Sequence, residues 1–350
     1  MDASDNRVPV AVVGVGRMGR HHAKVYSNLP NAHLVAVADT NDERAASVAA
    51  QYGCAAVRDP KELIEKFPQV KAVTIAVPTI FHRTAAEPLL TRGVACLVEK
   101  PLAASSEEGR KIVQLAEEHK AVLQVGHTER FNPVVRAVAA LNIVPRFVEV
   151  HRVSPMTFRS LDIGVVMDMM IHDLDIVLSL PNSHRARVDA AGVAVLGEHE
   201  YVANARLAFA NGCVANLTAS RLALKTERRL RLFNENAYIN LDYQKRTGLI
   251  IRKSDNDLAL SEVREQIRNG ADLTDLDYSN LLYIDELKVH GPEGHTDPLT
   301  GELASFLDCV VKGCKPIVDG RAGVAAVEAA ERVVASITSH KWEGLTVWNA

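Results

Sequence analysis

The sequence predicts an α/β protein: a doubly wound parallel sheet comes first, and an α+β domain with a mostly antiparallel, open sheet follows. Three observations support this prediction. The first 125 residues alternate short β-branched runs with helical patterns, whereas longer strand-like runs dominate after about residue 130. The chain has 350 residues, which suits two domains. Hydrophobic residues make up 47% of it, enough for a sizeable core.

The first part of the chain begins with apolar runs that are separated by helix-like stretches. Such alternation of near-continuous apolar strands with helices indicates a parallel sheet covered on both faces. Gly53 can end one helix, and Ser105 followed by Glu108 is the pattern of a capping box that begins another. The predicted strands are 8–13, 33–38, 72–77, 95–98 and 122–125, and the predicted helices are 18–29, 42–52, 84–92 and 107–119.

The second part contains one helical segment, 166–177, among strand-like runs. Asn211-Gly212 between two of these runs is a hairpin signal, so most of this sheet should be antiparallel. The polar segment 254–276 is predicted as a loop with a short helix. The predicted domains are 1–127 and 128–350, with two closing helices that can pack back on the first domain. The predicted strands are 147–153, 188–196, 201–209, 213–219, 227–233, 237–243 and 248–252, and the closing helices are 299–311 and 322–338.

Composition narrows the class of protein. The net charge of −3 gives no electrostatic reason to expect nucleic acid or an anionic membrane as a partner. No segment approaches the roughly 20 apolar residues of a membrane span, and the first residues lack the order of a secretion signal. Five scattered cysteines without a CxxC pair are expected as free thiols in a reducing cytoplasm. No motif indicates a metal site or a serine hydrolase.

A glycine-rich turn lies between the first predicted strand and the first predicted helix. Gly14, Gly16 and Gly19 form a GxGxxG pattern, and Asp39 ends the next strand 20 residues past Gly19. Together these features predict a dinucleotide whose phosphates lie at the helix N-terminus. The expected cofactor contacts in this turn are Gly14, Gly16, Arg17, Met18 and Gly19.

Asp39 also bears on the choice of cofactor. A carboxylate at this position accepts hydrogen bonds from the ribose 2′-hydroxyl and repels a 2′-phosphate. Neither Asp39 nor Thr40 is an arginine that would bind that phosphate. The sequence therefore predicts NAD rather than NADP.

Two further segments follow predicted strands, at the edge of a parallel sheet where ligands bind. One is the stretch that begins at Pro78, and the other is the Glu99-Lys100 pair. For this pair a surface ion pair is the alternative to a role at the cofactor. The expected cofactor contacts here are Pro78, Thr79, His82, Glu99 and Lys100.

The helical segment 166–177 carries a narrow polar stripe on an otherwise apolar surface. Asp168, His172 and Asp175 stand at i, i+4 and i+7, so an α-helix places them on one face. The pattern is compatible with a structural Asp–His hydrogen bond. It is equally compatible with a catalytic dyad in which the carboxylate orients an imidazole that moves a proton. Asp175, one turn further, is predicted to be structural.

The order and spacing of these motifs resemble the glucose–fructose oxidoreductase/inositol dehydrogenase family (Gfo/Idh/MocA). The resemblance covers nearly the whole chain. It implies a Rossmann domain, a substrate domain on an open sheet, and a nicotinamide ring between them. It also implies a catalytic set of Lys100, Asp168 and His172 that oxidises a secondary alcohol. Whether Lys100 or His172 is the formal base stays open.

A narrower resemblance rests on Gly126 to Pro133, His151 to Pro155 and Asn216 to Arg221. These stretches are similar to a bacterial subgroup that includes UDP-N-acetylglucosamine 3-dehydrogenases, which act on the way to amide-linked lipid A. Arginines there can bind a diphosphate, although pairing with acids on the sheet is the alternative. His127 has no predicted role. The expected substrate contacts are Arg130, Asn132, Arg152 and Arg221.

Three other functions remain compatible with the sequence. The same fold can oxidise a free polyol, inositol or aldose, or use transient redox chemistry as NAD-dependent glycosidases of this fold do. A non-catalytic NAD-binding sensor is the alternative from another class, and the presence of all three catalytic residue types argues against it. The resemblance further implies a homodimer or homotetramer that pairs through the open sheet.

Overall fold

The computed structural model describes residues 7–156, 163–180, 186–195, 197–254, 257–272, 281–287 and 297–342. Its first sheet is parallel and six-stranded, in the order β3-β2-β1-β4-β5-β6. The order reverses next to β1, and this point at the carboxyl edge is where doubly wound folds bind ligands. The strands are β1 (Val8–Val13), β2 (Ala32–Ala38), β3 (Ala55–Val57), β4 (Ala72–Ile75), β5 (Ala95–Glu99) and β6 (Leu123–Gly126).

Five helices connect these strands. The predicted caps are present: Gly53 adopts a left-handed conformation after α2, and the Ser105 side chain accepts a hydrogen bond from Glu108 N at the start of α5. The short elements β3 and α3 were not predicted, because three and seven residues are too few to show a period. The helices are α1 (Arg17–Asn28), α2 (Asp42–Tyr52), α3 (Pro60–Lys66), α4 (His82–Leu90) and α5 (Ser106–Glu118).

The second sheet has eight strands in the order β14-β13-β12-β11-β7-β10-β9-β8. All neighbouring strands are antiparallel except β7 and β10, which run parallel. The predicted runs are strands, and Gly212 forms the predicted hairpin turn with φ +87°. The strands are β7 (Phe147–Val153), β8 (Ala186–Val193), β9 (Val202–Phe209), β10 (Val214–Ser220), β11 (Glu227–Phe233), β12 (Ala237–Asp242), β13 (Thr247–Lys253) and β14 (Leu282–Glu286).

The helices of the second part connect the two sheets. The segment predicted as one α-helix begins with a π-helical turn, Val166–Met170, and continues as α7. The edge strand β14 and the helix α6 were not predicted, and parts of the polar segment 254–276 lie outside the described residues. The helices are α6 (Pro133–Ala140), α7 (Ile171–Ser179), α8 (Asp257–Arg268), α9 (Pro298–Lys312) and α10 (Gly320–Ser339).

The closing helices contact elements of both parts. α9 packs against α1, and α10 packs against α5, α7 and β8. A Cβ atom on Gly323 would lie 2.6 Å from a Val125 side-chain carbon, so glycine allows α10 to approach β6 closely. The division at residues 127 and 128 stays a prediction. Among the described residues, no helix is both long and apolar enough to cross a bilayer.

Candidate active site

The glycine-rich turn between β1 and α1 has the close packing that a dinucleotide site requires. Gly14 has φ +83°, and a Cβ atom on it would lie 2.7 Å from Val77 N. A Cβ on Gly19 would lie 1.8 Å from Gly14 O, so only glycine lets the helix begin this close to the strand. A Cβ on Gly16 would meet no atom within 4 Å, which leaves this backbone open to a ligand.

The start of α1 is suited to a phosphate group. Gly16 is the N-cap residue, and within the described part of the chain no side chain caps the helix. Its first backbone N–H groups can therefore donate hydrogen bonds to an anion. Met18 lines the cavity described below, whereas Arg17 lines a shallow depression beside Gly16.

Asp39 is buried at the end of β2 and faces the glycine turn. Its Oδ2 accepts a hydrogen bond from Val15 N at 2.9 Å, and its Oδ1 accepts one from Asn41 N at 2.9 Å. The Arg44 guanidinium lies 3.4 Å from both carboxylate oxygens and is 42% exposed. The sequence analysis missed Arg44, although an arginine five residues past the predicted ribose-binding acid is visible in the sequence. Arg44 reduces the repulsion that Asp39 alone would exert on a 2′-phosphate.

His82 lies behind the cofactor edge rather than on it. It is 1% exposed, and its ring nitrogens lie 2.9 Å from Pro101 O and 3.0 Å from Val77 O. Burial lowers the pKa of His82, so the ring is neutral near pH 7. A contact between this buried side chain and the cofactor stays a prediction. His82 ties together the segments that follow β4 and β5. Pro78 and Thr79 are more open and remain predicted contacts.

Glu99 ends β5 and connects the cofactor edge to α1. Its Oε1 lies 2.7 Å from His22 Nε2, and its Oε2 accepts a hydrogen bond from Lys100 N at 3.1 Å. Burial alone would raise the pKa of Glu99, but the His22 contact and the Lys100 charge hold it below its usual value. The sequence analysis did not predict the contact between His22 and Glu99, because the two residues are far apart along the chain.

Lys100, Asp168 and His172 line one cavity at the junction of the two sheets. Lys100 Nζ donates a hydrogen bond to Asp168 O at 2.9 Å and lies 3.5 Å from Asp168 Oδ1. Asp168 Oδ2 lies 3.6 Å from Arg221 Nη2. The Asp168 carboxylate thus lies between two cations, and the Lys100 ammonium is fixed beside the open cavity.

The predicted Asp168–His172 hydrogen bond is wrong. His172 Nδ1 is buried and has no hydrogen-bond partner among the described residues. The reason is the π-helical turn, in which the Ile171 N–H bonds back to Val166 O and widens the helix between the two side chains. Such turns change the angle between residues four apart and often lie at functional sites.

Burial lowers the pKa of His172 well below its usual value, and the charges of Lys100 and Arg152 lower it further. The imidazole is therefore neutral near pH 7 and can accept a proton. His127 lies next to it, with ring centroids 6.1 Å apart and the rings at 90°. Both His127 nitrogens are buried without a hydrogen-bond partner in the described structure.

The cavity has a volume of about 560 Å³ and joins three groups of residues. Met18, Glu99 and Gly126 come from the carboxyl edge of the parallel sheet. The second group is the catalytic candidates and Met169. The third group comes from the segment after β6, the second sheet and the start of α9, namely Thr128, Glu129, Asn132, Arg152, Arg228, Tyr243, Gln244, Arg246, Asp297, Pro298 and Leu299.

Arg152 stays a predicted diphosphate contact that lines the cavity, and two acidic side chains bind its guanidinium group. Its Nε and Nη2 donate to Asp173 at 2.7 and 2.9 Å, and its Nη1 donates to Glu129 at 3.0 Å. The side chain is 4% exposed. Removing a member of this buried network would leave charges without partners and would destabilise the fold.

The other predicted substrate contacts are also engaged within the protein. Arg130 lies 3.4 Å from Asp175 Oδ1, which agrees with the structural role predicted for Asp175. Arg221 donates to Ile163 O at 3.0 Å and has a 5% exposed side chain. Asn132 caps α6 by accepting from Val134 N. The acidic partners of these arginines lie on α7, in the turn before it and after β6 rather than on the sheet. The substrate contacts stay predictions.

A buried carboxyl group that the sequence did not indicate lies under the cavity. Glu302 on α9 is fully buried, and its Oε2 accepts a hydrogen bond from the Thr128 hydroxyl at 3.0 Å. Burial and the charge of Glu99 raise the pKa of Glu302 well above its usual value. Glu302 anchors α9 to the segment after β6. Within the described residues, no cluster of His, Cys, Asp and Glu is arranged to hold a metal ion.

Comparison with known proteins agrees with this geometry. Residues 8–127 match the model of an oxidoreductase family with an NAD-binding Rossmann fold, and residues 145–240 match the GFO/IDH/MocA C-terminal domain. The chain is a member of the Gfo/Idh/MocA family. It is thus an oxidoreductase by family, and the predicted fold class is confirmed.

Two relatives show how far the similarity extends. UDP-N-acetylglucosamine 3-dehydrogenase of Acidithiobacillus ferrooxidans is 34% identical over 324 residues, which cover 92% of this chain and 95% of that protein. Inositol 2-dehydrogenase of Rhizobium meliloti is 26% identical over 351 residues, covering 95% and 98%.

A solved structure agrees with the sequence comparison. UDP-N-acetylglucosamine 3-dehydrogenase GnnA from Acidithiobacillus ferrooxidans superposes with a TM-score of 0.82 and 32% identity. The match covers 95% of this chain and 97% of that chain. Both domains of this family member are therefore arranged as in an enzyme whose name specifies a nucleotide sugar as substrate.

Proposed function

We propose that this Gfo/Idh/MocA family member is an NAD-dependent dehydrogenase that oxidises the 3-hydroxyl of UDP-N-acetylglucosamine or a related nucleotide sugar. The observation that carries the proposal is the shared cavity of Lys100, Asp168 and His172 beside Met18 and Gly126. The nature of the sugar rests on the 34% identical relative, which matches along 92% of this chain.

The cofactor proposal rests on the glycine turn and Asp39. The open backbone at Gly16 and the uncapped start of α1 fit the pyrophosphate, and the Asp39 carboxylate fits the ribose hydroxyls. NAD bound there would supply the hydride acceptor for the oxidation of the substrate carbon. We expect NAD to bind more tightly than NADP. Arg44 should make this difference in affinity small, because it reduces the repulsion between Asp39 and a 2′-phosphate.

The side chains of the cavity have separate roles in removing the hydroxyl proton and in stabilising the charge on the oxygen. The neutral His172 imidazole accepts the hydroxyl proton as the carbon–hydrogen bond breaks. The Lys100 ammonium donates a hydrogen bond to the same oxygen and stabilises its negative charge. Asp168 holds that ammonium through its backbone and side-chain oxygens. In this arrangement His172 is the base and Lys100 the electrostatic group.

Absorbance of the reduced nicotinamide tests the proposal directly. The purified protein with NAD would be given UDP-N-acetylglucosamine, inositol and free hexoses, with a ketone trap to draw the reaction forward. Reduction with the UDP-sugar alone supports the proposal. Reduction with none of these substrates contradicts it.

A second candidate substrate class is a free polyol. The inositol 2-dehydrogenase relative matches 95% of this chain, although at the lower identity of 26%. The cavity chemistry is the same for both substrates, because each offers a secondary hydroxyl. Reduction of NAD with inositol, and none with the UDP-sugar, would favour this alternative.

We also propose that the open face of the eight-stranded sheet pairs two copies of the chain. Phe147, Phe233 and Tyr238 contact one another on this face and are half-buried in the single chain. Light scattering would measure the mass in solution. Thr218→Arg, on the adjacent strand β10, should lower that mass towards one chain, because pairing would bury the new charge in the interface. A monomeric unmodified protein would contradict the proposal.

A further inference from the structure

Two arginines line the cavity in addition to the buried Arg152. Arg228 is 46% exposed, and Arg246 is also exposed. Neither was among the predicted substrate contacts. Both are on the second sheet, whereas the cofactor side of the cavity is formed by Met18, Glu99 and Gly126.

The register of the second sheet determines where Arg228 points. Arg228 lies opposite Arg152 across the β11–β7 pair, on the same face as the buried Leu230. Its Nη1 lies 3.3 Å from Glu129 Oε1, the oxygen that already accepts from Arg152. Burial alone would raise the pKa of Glu129, but these two guanidinium groups hold it below its usual value. Arg228 therefore uses one of its donors on a shared acceptor and can offer others to a ligand.

A rigid turn presents Arg246. Asp242 Oδ1 accepts hydrogen bonds from Gln244 N at 3.0 Å and Lys245 N at 2.8 Å. This turn brings Arg246 to φ +56°, a left-handed conformation. Tyr243 N donates to Arg228 O at 2.9 Å, so the turn is fixed to the strand that carries Arg228.

We propose that Arg228 and Arg246, together with Gln244, form the subsite for the diphosphate of the nucleotide-sugar substrate. The sugar hydroxyl must reach Lys100 and His172 beside the cofactor. The substituent at the other end of the sugar then points towards this second-sheet wall. Guanidinium groups match phosphate oxygens in charge and geometry. This inference rests on the proposed function and assigns its substrate class to particular residues.

The test uses four variants of the full chain, the fourth being the conservative Arg228→Lys. Arg228→Gln removes one guanidinium, and Arg246→Asn removes the other with a residue that tolerates the left-handed backbone. Arg146→Gln is the matched control, since Arg146 is 64% exposed, pairs with Glu235 and does not line the cavity. The binding of UDP by calorimetry is measured beside KM and kcat for UDP-N-acetylglucosamine and the affinity for NAD.

Each cavity variant should weaken UDP binding and raise KM by about 10- to 100-fold, the range for losing a charged hydrogen bond. kcat and NAD affinity should change little, because the substituted groups act on the bound substrate rather than on the chemical step. Arg228→Lys should recover part of the affinity, and Arg146→Gln should match the unmodified protein.

The outcomes separate this inference from the proposed function. Oxidation of UDP-N-acetylglucosamine with unchanged KM and UDP affinity in both variants would overturn the inference and leave the function standing. Loss of UDP binding in the variants of a protein that oxidises a different nucleotide sugar would support the subsite and replace the sugar. Absence of UDP binding by the unmodified protein would overturn both the subsite and the nucleotide-sugar substrate.

Discussion

At the scale of single residues, burial decides what the cavity side chains can do. His172 is neutral because burial and the neighbouring Lys100 and Arg152 charges lower its pKa. Lys100 is fixed by two oxygens of Asp168. A neutral acceptor and a positioned ammonium are what the removal of a hydroxyl proton requires.

His172→Asn should lower kcat by about 10²-fold or more while NAD affinity stays nearly unchanged, since only proton transfer is lost. Steady-state kinetics and an NAD titration would measure both. His119→Asn is the matched control, because His119 is exposed at the end of α5 and does not line the cavity. Full activity in the His172 variant would return this residue to a structural role.

Asp39→Asn should weaken NAD binding by about 10-fold and narrow the preference over NADP, because the charge that repels a 2′-phosphate is removed. Arg44→Gln should widen the preference for NAD, because it should weaken the binding of NADP alone. Fluorescence titrations with both cofactors would measure these changes. Asp42→Asn is the control, since this carboxylate is 76% exposed. Equal affinity of the unmodified protein for both cofactors would contradict the NAD proposal.

At the scale of elements, the site depends on how strands and helices approach one another. The start of α1 lies against the turn after β1 because Gly19 has no Cβ atom. The π-helical turn before α7 separates the Asp168 and His172 side chains, so Asp168 turns to Lys100. Neither relation is a property of one residue alone.

Gly16→Ala and Gly19→Ala should therefore differ. A methyl group on Gly16 meets no protein atom within 4 Å, so the midpoint of thermal unfolding should hold while NAD binding weakens about 10-fold or more. A methyl group on Gly19 would overlap Gly14 O, so both the midpoint and NAD binding should fall. Equal thermal midpoints for the two variants would show that the predicted overlap is relieved.

At the scale of the whole molecule, the pH dependence of folding follows from the buried histidines. Burial lowers the pKa of His82, His127 and His172 below the usual histidine value of about 6.5. Below that pH the unfolded chain binds protons that the folded chain does not, so stability present above pH 6.5 is lost as the pH falls. Glu302 acts in the opposite direction, because its pKa is raised.

His127→Gln should therefore lose less stability between pH 7 and pH 5.5 than the unmodified protein, since one of these histidines is removed. Urea unfolding at several pH values would give the slope of the unfolding free energy, which is independent of any constant cost of the substitution. An unchanged slope for His127→Gln would show that His127 binds protons equally in the folded and the unfolded protein, and would contradict the lowered pKa.

The sequence by itself determined the two kinds of sheet, the glycine turn and the acid at the end of β2. These features follow from period, spacing and backbone conformation, which act over a few residues. Short or edge elements such as β3, α3, α6 and β14 escaped prediction because packing, more than local pattern, stabilises them. The cavity residues Lys100 and His172 were found through their motifs.

Only the tertiary structure decided which charged side chains face the cavity. Arg152 and Arg228 lie opposite each other in paired strands, yet one is buried with Asp173 and Glu129 and the other is exposed. From their positions in the sequence alone, both arginines are equally good candidates for binding a ligand. Their partners come from other elements, so the energy of each pair depends on distances and burial that exist only after the sheets have assembled.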